Sequence, residues 1–204
     1  MTQLFNSPFY HTTIDYTGKS KLIEQIQSRY NLSPTYKPNS WGEDVHTSIV
    51  YQKCDNNIEY FKKSNIPIDL VIEIDRVVQK SVEQFGVEDL GKFYIAEMWY
   101  NAYKNRQYQH MHDHSNNNNM LFSGIYYMKY NEKQHSATRF YNPHFKINYD
   151  KTIIQKNSFF VKQPEIKEND VFIFPSNVVH DVLPQESDDL RITIAFNVAL
   201  LNDE

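Results

Sequence analysis

The sequence predicts an α+β protein built on a double-stranded β-helix, the jelly roll, supported by helices from its amino-terminal part. Before residue 90, two stretches carry apolar residues at helical spacing. After Gly91, about eight short apolar and aromatic runs follow one another, separated by clusters of Asn, Asp, Pro and Lys. No helical stretch intervenes between these runs, which excludes parallel βαβ units. Strands this numerous and this short favour two sheets closing on each other over one open sheet. The 204 residues, 40% hydrophobic, suffice for one sizeable core. Residues 1–204 are therefore expected to form one domain. An amino-terminal strand, helices and a wrapping loop would occupy 1–90, and the jelly-roll core 91–204.

In chain order, residues 4–14 read as a first strand, which Pro8 confines to an edge. Over 19–30, Leu22, Ile23, Ile26 and Tyr30 fall at the spacing of a short amphipathic helix. The segment 33–48 carries two prolines, a glycine and Trp41, and is expected to wrap the core through that tryptophan. Pro67 suits the first turn of a second helix whose stripe is Leu70, Val71, Ile74, Val77, Val78, Val82 and Phe85, with Gly86 as its stop. The strands of the second half are expected at 93–103, 108–114, 121–130, 137–141, 158–161, 170–175, 178–183 and 190–200.

The formal charge of -4, with Lys and Arg scattered, gives no reason to expect a nucleic-acid partner. Cys54 is the only cysteine, so neither a disulfide framework nor a Cys-based zinc site is available, and a reducing compartment suits the chain. The start MTQLFNSPFYHTTIDY lacks the basic and apolar regions of a signal peptide, and nowhere is there an apolar run of membrane-spanning length. A cytoplasmic protein without a membrane segment is the expectation; homodimerisation stays open.

The chemistry concentrates in QYQHMHDHSNNNNMLFSGIYYMKY, residues 107–130. His110, His112 and His114 alternate, and in an extended segment alternate side chains share a face, so two of these imidazoles can close on one metal ion. A further histidine, His180, precedes a turn at 185–189 and a last strand beginning at Arg191. Antiparallel pairing about that turn would set His180 opposite Arg191. On the last strand Arg191, Thr193, Ala195 and Asn197 share one face, suited to a pocket, while Ile192, Ile194, Phe196 and Val198 share the core face. A buried Arg with no acid beside it on its face matches a carboxylate, which accepts two parallel hydrogen bonds. Histidines around a metal with open positions, beside a guanidinium, are what a 2-oxoglutarate-dependent iron enzyme requires. The keto acid would chelate Fe(II) through its C1 carboxylate and C2 oxo group, and its C5 carboxylate would meet Arg191 and the phenol of Tyr127. The bland alternatives are a surface histidine row and an Arg191 paired with Asp188 or Asp189. His11, His46, His135 and His144 have no spacing partner and are expected exposed, whereas Glu97 within an apolar strand needs a partner.

The motifs Trp99-Tyr100-Asn101, His112-Asp113-His114, Ser123-Gly124-Ile125-Tyr126-Tyr127, Phe174-Pro175-Ser176 with His180, and Arg191-Ile192 with Phe196-Asn197 carry a resemblance. In order and spacing they are similar to the jelly-roll, cupin-like 2-oxoglutarate and Fe(II)-dependent oxygenases, specifically an uncharacterised bacterial and phage group. The resemblance extends to LFNSPFY and PNSWGEDVHTS near the start. It implies His112, His114 and His180 as metal ligands, Arg191 as the anchor of 2-oxoglutarate with Tyr127 beside it, and Asn101 and Asn197 as pocket residues. It further implies Fe(II) as metal and 2-oxoglutarate and O2 as co-substrates, in the hydroxylation of a substrate that the sequence does not name. That substrate would enter past the loops 33–48 and 142–157. The pattern departs from the wider superfamily in one respect. No acid follows His110 or His112 two places on, so three histidines replace the usual two with a carboxylate. Because the loop 115–121 is longer than in that group, His110 with His112 is the alternative close pair. Two other functions compete: a three-histidine metal-dependent dioxygenase without a keto acid, and a non-catalytic jelly-roll binding protein.

Overall fold

The computed structural model describes residues 3–4, 7–37, 44–50, 54–115, 119–142 and 160–201. Its elements are β1 (Gln3–Leu4), β2 (Ser7–Pro8), β3 (Tyr10–Thr13), α1 (Lys19–Leu32), β4 (His46–Thr47), α2 (Asn57–Lys63), α3 (Ile68–Phe85), a 3-10 turn (Glu88–Leu90), β5 (Lys92–Tyr103), β6 (Gln109–His112), β7 (Met120–Lys129), β8 (Thr138–Tyr141), β9 (Val161–Lys162), β10 (Asp170–Pro175), β11 (His180–Val182) and β12 (Arg191–Leu201). Among them no helix is long and apolar enough to cross a membrane.

The two expected helices form where their apolar stripes lie. Leu22, Ile26 and Tyr30 are the buried face of α1, and Leu70, Ile74, Val77, Val78 and Val82 that of α3. Pro67 sits just before α3, and Gly86 ends it at φ 67°, the left-handed conformation that glycine adopts without strain. The helix α2 was not expected. Its seven residues are too few to display a period, but Asn56 caps it by accepting the Glu59 N–H, and the Glu59 carboxylate reaches back to the Asp55 N–H. The single strand expected over 4–14 is divided into β1, β2 and β3.

Two antiparallel sheets make the jelly roll. The larger has six strands in the order β3, β10, β7, β12, β5, β4; the smaller has four, β6, β11, β8, β9. Alternation along the larger sheet separates two cores. Tyr100, Ala102, Tyr126, Met128, Val171, Ile173, Ile192, Ile194, Phe196 and Val198 face the helices and pack with their stripes. Ile125, Tyr127, Phe172 and Phe174 face the other way and meet Phe140 and Val178 between the sheets. Burial on both faces explains why β10 reads in sequence as an unbroken apolar run.

One sequence expectation fails here. β11 pairs with β6 and β8 in the smaller sheet, whereas β12 lies between β5 and β7 in the larger, so His180 and Arg191 are not cross-strand neighbours. The connection does not close as a hairpin, because Gln185 within it is pinned elsewhere. Its N–H donates to Gln107 O, and its own carbonyl accepts from the Arg106 N–H. The expected wrapping contact of Trp41 and most of the loop 142–157 lie outside the described residues.

Candidate metal centre

The ladder between β6 and β11 sets His112 opposite His180. Three positions back on β6, Gln109 faces Val182, only two positions along β11, so β6 carries one extra residue there. This bulge overturns the expectation that three imidazoles share a face. Gln109 and His112 both line the inner pocket, and His110 is turned out to solvent against Tyr108. The alternative close pair, His110 with His112, is thereby not brought together. His114 follows the strand end, held by its backbone N–H to the Ser176 carbonyl at 2.9 Å.

His112, His114 and His180 converge. Their ring centroids are 4.3 to 5.3 Å apart, and one ligand nitrogen from each lies within 4.8 Å of the others. Backbone carbonyls fix two tautomers, because a carbonyl can only accept: Nδ1–H of His112 donates to His110 O at 2.7 Å and Nδ1–H of His180 to Val178 O at 3.0 Å. Nε2 of each is left with its lone pair toward the pocket. Burial, and then the neighbouring imidazoles, hold His180 well below the ordinary histidine range; burial, and then His112, push His114 down to about 3. Both are neutral at physiological pH, the form that binds metal.

Neither acid beside these histidines joins them. Asp113 accepts from the N–H and hydroxyl of Ser115, and Asp181 pairs with Arg139. Among the described residues the group is therefore three imidazoles. Such a donor set suits a divalent first-row metal and leaves its charge uncompensated, which favours an anionic ligand.

Arg191 reaches the same pocket from β12, across the space between the sheets. It is 1% exposed and stacks on Tyr103 at 4.9 Å and Tyr127 at 5.5 Å. Its Nη2 donates to Thr138 Oγ1 at 3.3 Å, while Nε and Nη1 are buried without a hydrogen-bond partner among the described residues. The alternative pairing of Arg191 with Asp188 or Asp189 on the surface does not form among the described residues: Arg191 is buried, and the Asp189 carboxylate is engaged by Lys129 and His135. A buried guanidinium with two idle nitrogens fits the carboxylate of a ligand and little else.

Tyr127 is fully buried with its hydroxyl donating to Thr138 Oγ1 at 2.8 Å, so the phenol and the guanidinium meet on one threonine. Asn101 lines the pocket and its Oδ1 is buried without a partner. Asn197 does not line it. Its Nδ2 donates to the half-buried Glu97 and its Oδ1 accepts from Ser123, whose hydroxyl also contacts that of Ser176. Glu97 thereby has the partner its burial demands, and burial raises its pKa. Thr193 and Ala195 line the pocket as their face of the last strand led one to expect, whereas Trp99, Tyr103, Gln109 and Thr138 line it and were missed as site residues. The parity that selects Asn101 on β5 and Arg191 on β12 also selects Trp99, Tyr103 and Thr193; the bulge concealed Gln109.

Fold and site together define a jelly-roll protein with three imidazoles able to hold a divalent metal, beside a buried arginine with two unpartnered nitrogens. Residues 97–197 match the family described as "Putative 2OG-Fe(II) oxygenase". No curated protein matches by sequence. Among solved structures, the chain is similar to a Pseudomonas putida prolyl-4-hydroxylase, at 12% identity and TM-score 0.61, with 98% of this chain and 96% of that one covered. A prolyl hydroxylase from Trichoplax adhaerens, in complex with a hypoxia-inducible-factor peptide fragment, is similar at 13% identity and TM-score 0.59, with 97% and 86% covered. HygX from Streptomyces hygroscopicus, with nickel and 2-oxoglutarate bound, is similar at 10% identity and TM-score 0.58, with 95% and 83% covered. The chain belongs to the superfamily of 2-oxoglutarate- and Fe(II)-dependent oxygenases. It is an enzyme of that class, working with Fe(II), 2-oxoglutarate and O2.

Proposed function

We propose that His112, His114 and His180 hold the Fe(II), that Arg191 anchors the C5 carboxylate of 2-oxoglutarate, and that the enzyme hydroxylates its substrate while the keto acid becomes succinate. The observation that carries this reading is the buried Arg191, with two idle nitrogens, in the same pocket as three converging imidazoles. The metal, when bound, supplies the O2 chemistry that couples oxidation of the keto acid to oxidation of the substrate. The chain supplies the rest. Thr138 and Tyr127 orient the guanidinium, Asn101 offers an unpartnered acceptor in the pocket, and the aromatic walls exclude water. Asn197 is assigned a positioning role, through Ser123 and Ser176, rather than a ligand contact. We read the helices and both sheets as one oxygenase domain, because α1 and α3 share a core with the larger sheet.

A dioxygenase without a keto acid would have no use for the idle guanidinium, and a non-catalytic binding protein none for neutral imidazoles in a shared pocket. His180→Ala is expected to abolish both metal uptake and succinate formation. Arg191→Met is expected to retain the metal and to weaken 2-oxoglutarate binding by about ten- to a hundredfold, the worth of a charge-assisted hydrogen-bonded pair. Metal-dependent consumption of 2-oxoglutarate that survives His180→Ala overturns the ligand assignment.

A further inference from the structure

Gln109 stands between the imidazoles and the tyrosine that flanks Arg191. Its Nε2 lies 3.3 Å from His112 Nε2, and its Oε1 accepts from the Tyr103 hydroxyl at 2.9 Å. Since Nδ1–H of His112 is committed to a carbonyl, its Nε2 carries the lone pair, and the contact with Gln109 must be a hydrogen bond donated by the amide. The reversed amide would set two acceptors face to face, so the Tyr103 hydroxyl and the His112 lone pair together fix its direction. The nitrogen that His112 offers to a metal is thus already accepting a hydrogen bond.

Space points the same way. The space left for a water-sized group among the imidazoles, Arg191 and the walls of this partly open pocket is about 20 Å³, room for about one water. A five-carbon keto acid enters only if a lining side chain turns aside. Trp99 is packed against His114, and Tyr103 against the guanidinium of Arg191. Gln109, unbranched and rotatable about three bonds, is the polar side chain best able to move.

We infer that Gln109 gates the co-substrate: its amide N–H caps His112 Nε2 until a metal takes that lone pair, and is then released to donate to an oxygen of the chelating end of the keto acid. The inference rests on the metal and keto-acid reading proposed above. Adjacent donors on an ion with bonds of about 2.1 Å are about 3 Å apart, so an N–H 3.3 Å from a ligating nitrogen needs only a small turn to reach a neighbouring ligand oxygen. Tyr103 aims it by holding Oε1.

The test measures two affinities separately in the full chain: Mn(II) by competition with a fluorescent chelator, and 2-oxoglutarate by the visible charge-transfer band of its anaerobic Fe(II) chelate. Gln109→Leu removes the competitor for His112 and the donor for the keto acid. It is expected to bind Mn(II) about three- to tenfold more tightly and 2-oxoglutarate about tenfold more weakly. Tyr103→Phe keeps the ring against Arg191 and is expected to move both affinities in the same directions by less, which covers a Gln109→Leu protein that fails to fold. Opposed shifts are the signature, because general loosening of the pocket weakens both ligands. Parallel losses, or affinities unchanged in both variants, overturn the gate while leaving the metal site standing. A wild-type protein that takes up neither Mn(II) nor the keto acid overturns the underlying reading as well.

Discussion

Burial disfavours the charged form of an imidazole, and this chain buries several. His46 and His135 join His114 and His180 in having pKa values lowered chiefly by burial. In the unfolded chain each takes up a proton near pH 6.5, whereas in the folded chain each resists it. Above that pH both states are neutral and the groups contribute nothing; as pH falls through it the unfolded state binds more protons, and stability is lost. Glu97 and Asp75, raised by burial, act with the opposite sign closer to the ordinary carboxylate range. The metal-free protein is therefore expected to melt at progressively lower temperature between about pH 7.5 and about pH 5.5, and His46→Gln should flatten that dependence. An equally steep fall in the variant would mean that His46 bears none of it. These histidines also mark the limit of sequence reading at this scale. His46 and His135 were expected exposed for want of a spacing partner, yet they are 2% and 6% exposed. Their partners are Ser33 O and the Tyr100 hydroxyl for one, and the Asn131 N–H and Asp189 O for the other, contacts that no side-chain pattern announces. Arg191 was legible for the converse reason: its parity with Thr193 and Ala195 placed it on the pocket face of an otherwise apolar strand.

Glycines in a helix cap and a strand fail in different ways when a methyl group is added. At Gly86 nothing lies within 4 Å of an added Cβ, so the loss is the left-handed backbone alone, about 1 kcal/mol. At Gly124, opposite Phe196 in the pairing of β7 with β12, the added atom collides with the Phe196 ring on the helix-facing side of the sheet. Overpacking of that kind costs about 1–3 kcal/mol. Gly124→Ala is accordingly expected to lower the urea midpoint more than Gly86→Ala; the reverse order would mean that the ring moves aside freely. Which elements could be read from the sequence follows from the same packing. β5, β10 and β12 are buried along most of their length, so their apolar runs gave the bounds closely. α2 is too short to repeat, and the bulge in β6 adds one residue without any Gly or Pro to betray it. That single residue is why three alternating histidines contribute two imidazoles to the pocket rather than three.

The site is divided between the sheets, and that division has a thermodynamic consequence. His112 and His180 belong to the smaller sheet and His114 to the residues just after β6, whereas Arg191, Asn101 and Tyr103 belong to the larger. Sequence reasoning set His180 opposite Arg191 through a hairpin; the chain instead crosses between sheets at Gln185, and the two side chains line one pocket from different sheets. A second tie runs from Glu97 through Asn197 and Ser123 to Ser176, whose carbonyl holds the His114 backbone. A metal held by the three imidazoles would by itself join strands of the smaller sheet with the loop beside it. A metal with a keto acid whose far carboxylate reaches Arg191 would clamp one sheet to the other. A ligand that binds only the folded state stabilises it by about 2.7 kcal/mol at a hundredfold excess over its dissociation constant. Mn(II) should therefore raise the melting temperature of the wild type, and 2-oxoglutarate should add a second increment that appears only when the metal is present. In Arg191→Met the first increment should remain and the second should shrink toward zero at the same concentration. A full second increment in that variant would mean that the far carboxylate is held by some group other than the guanidinium, and with it the co-substrate's course across the barrel would have to be redrawn.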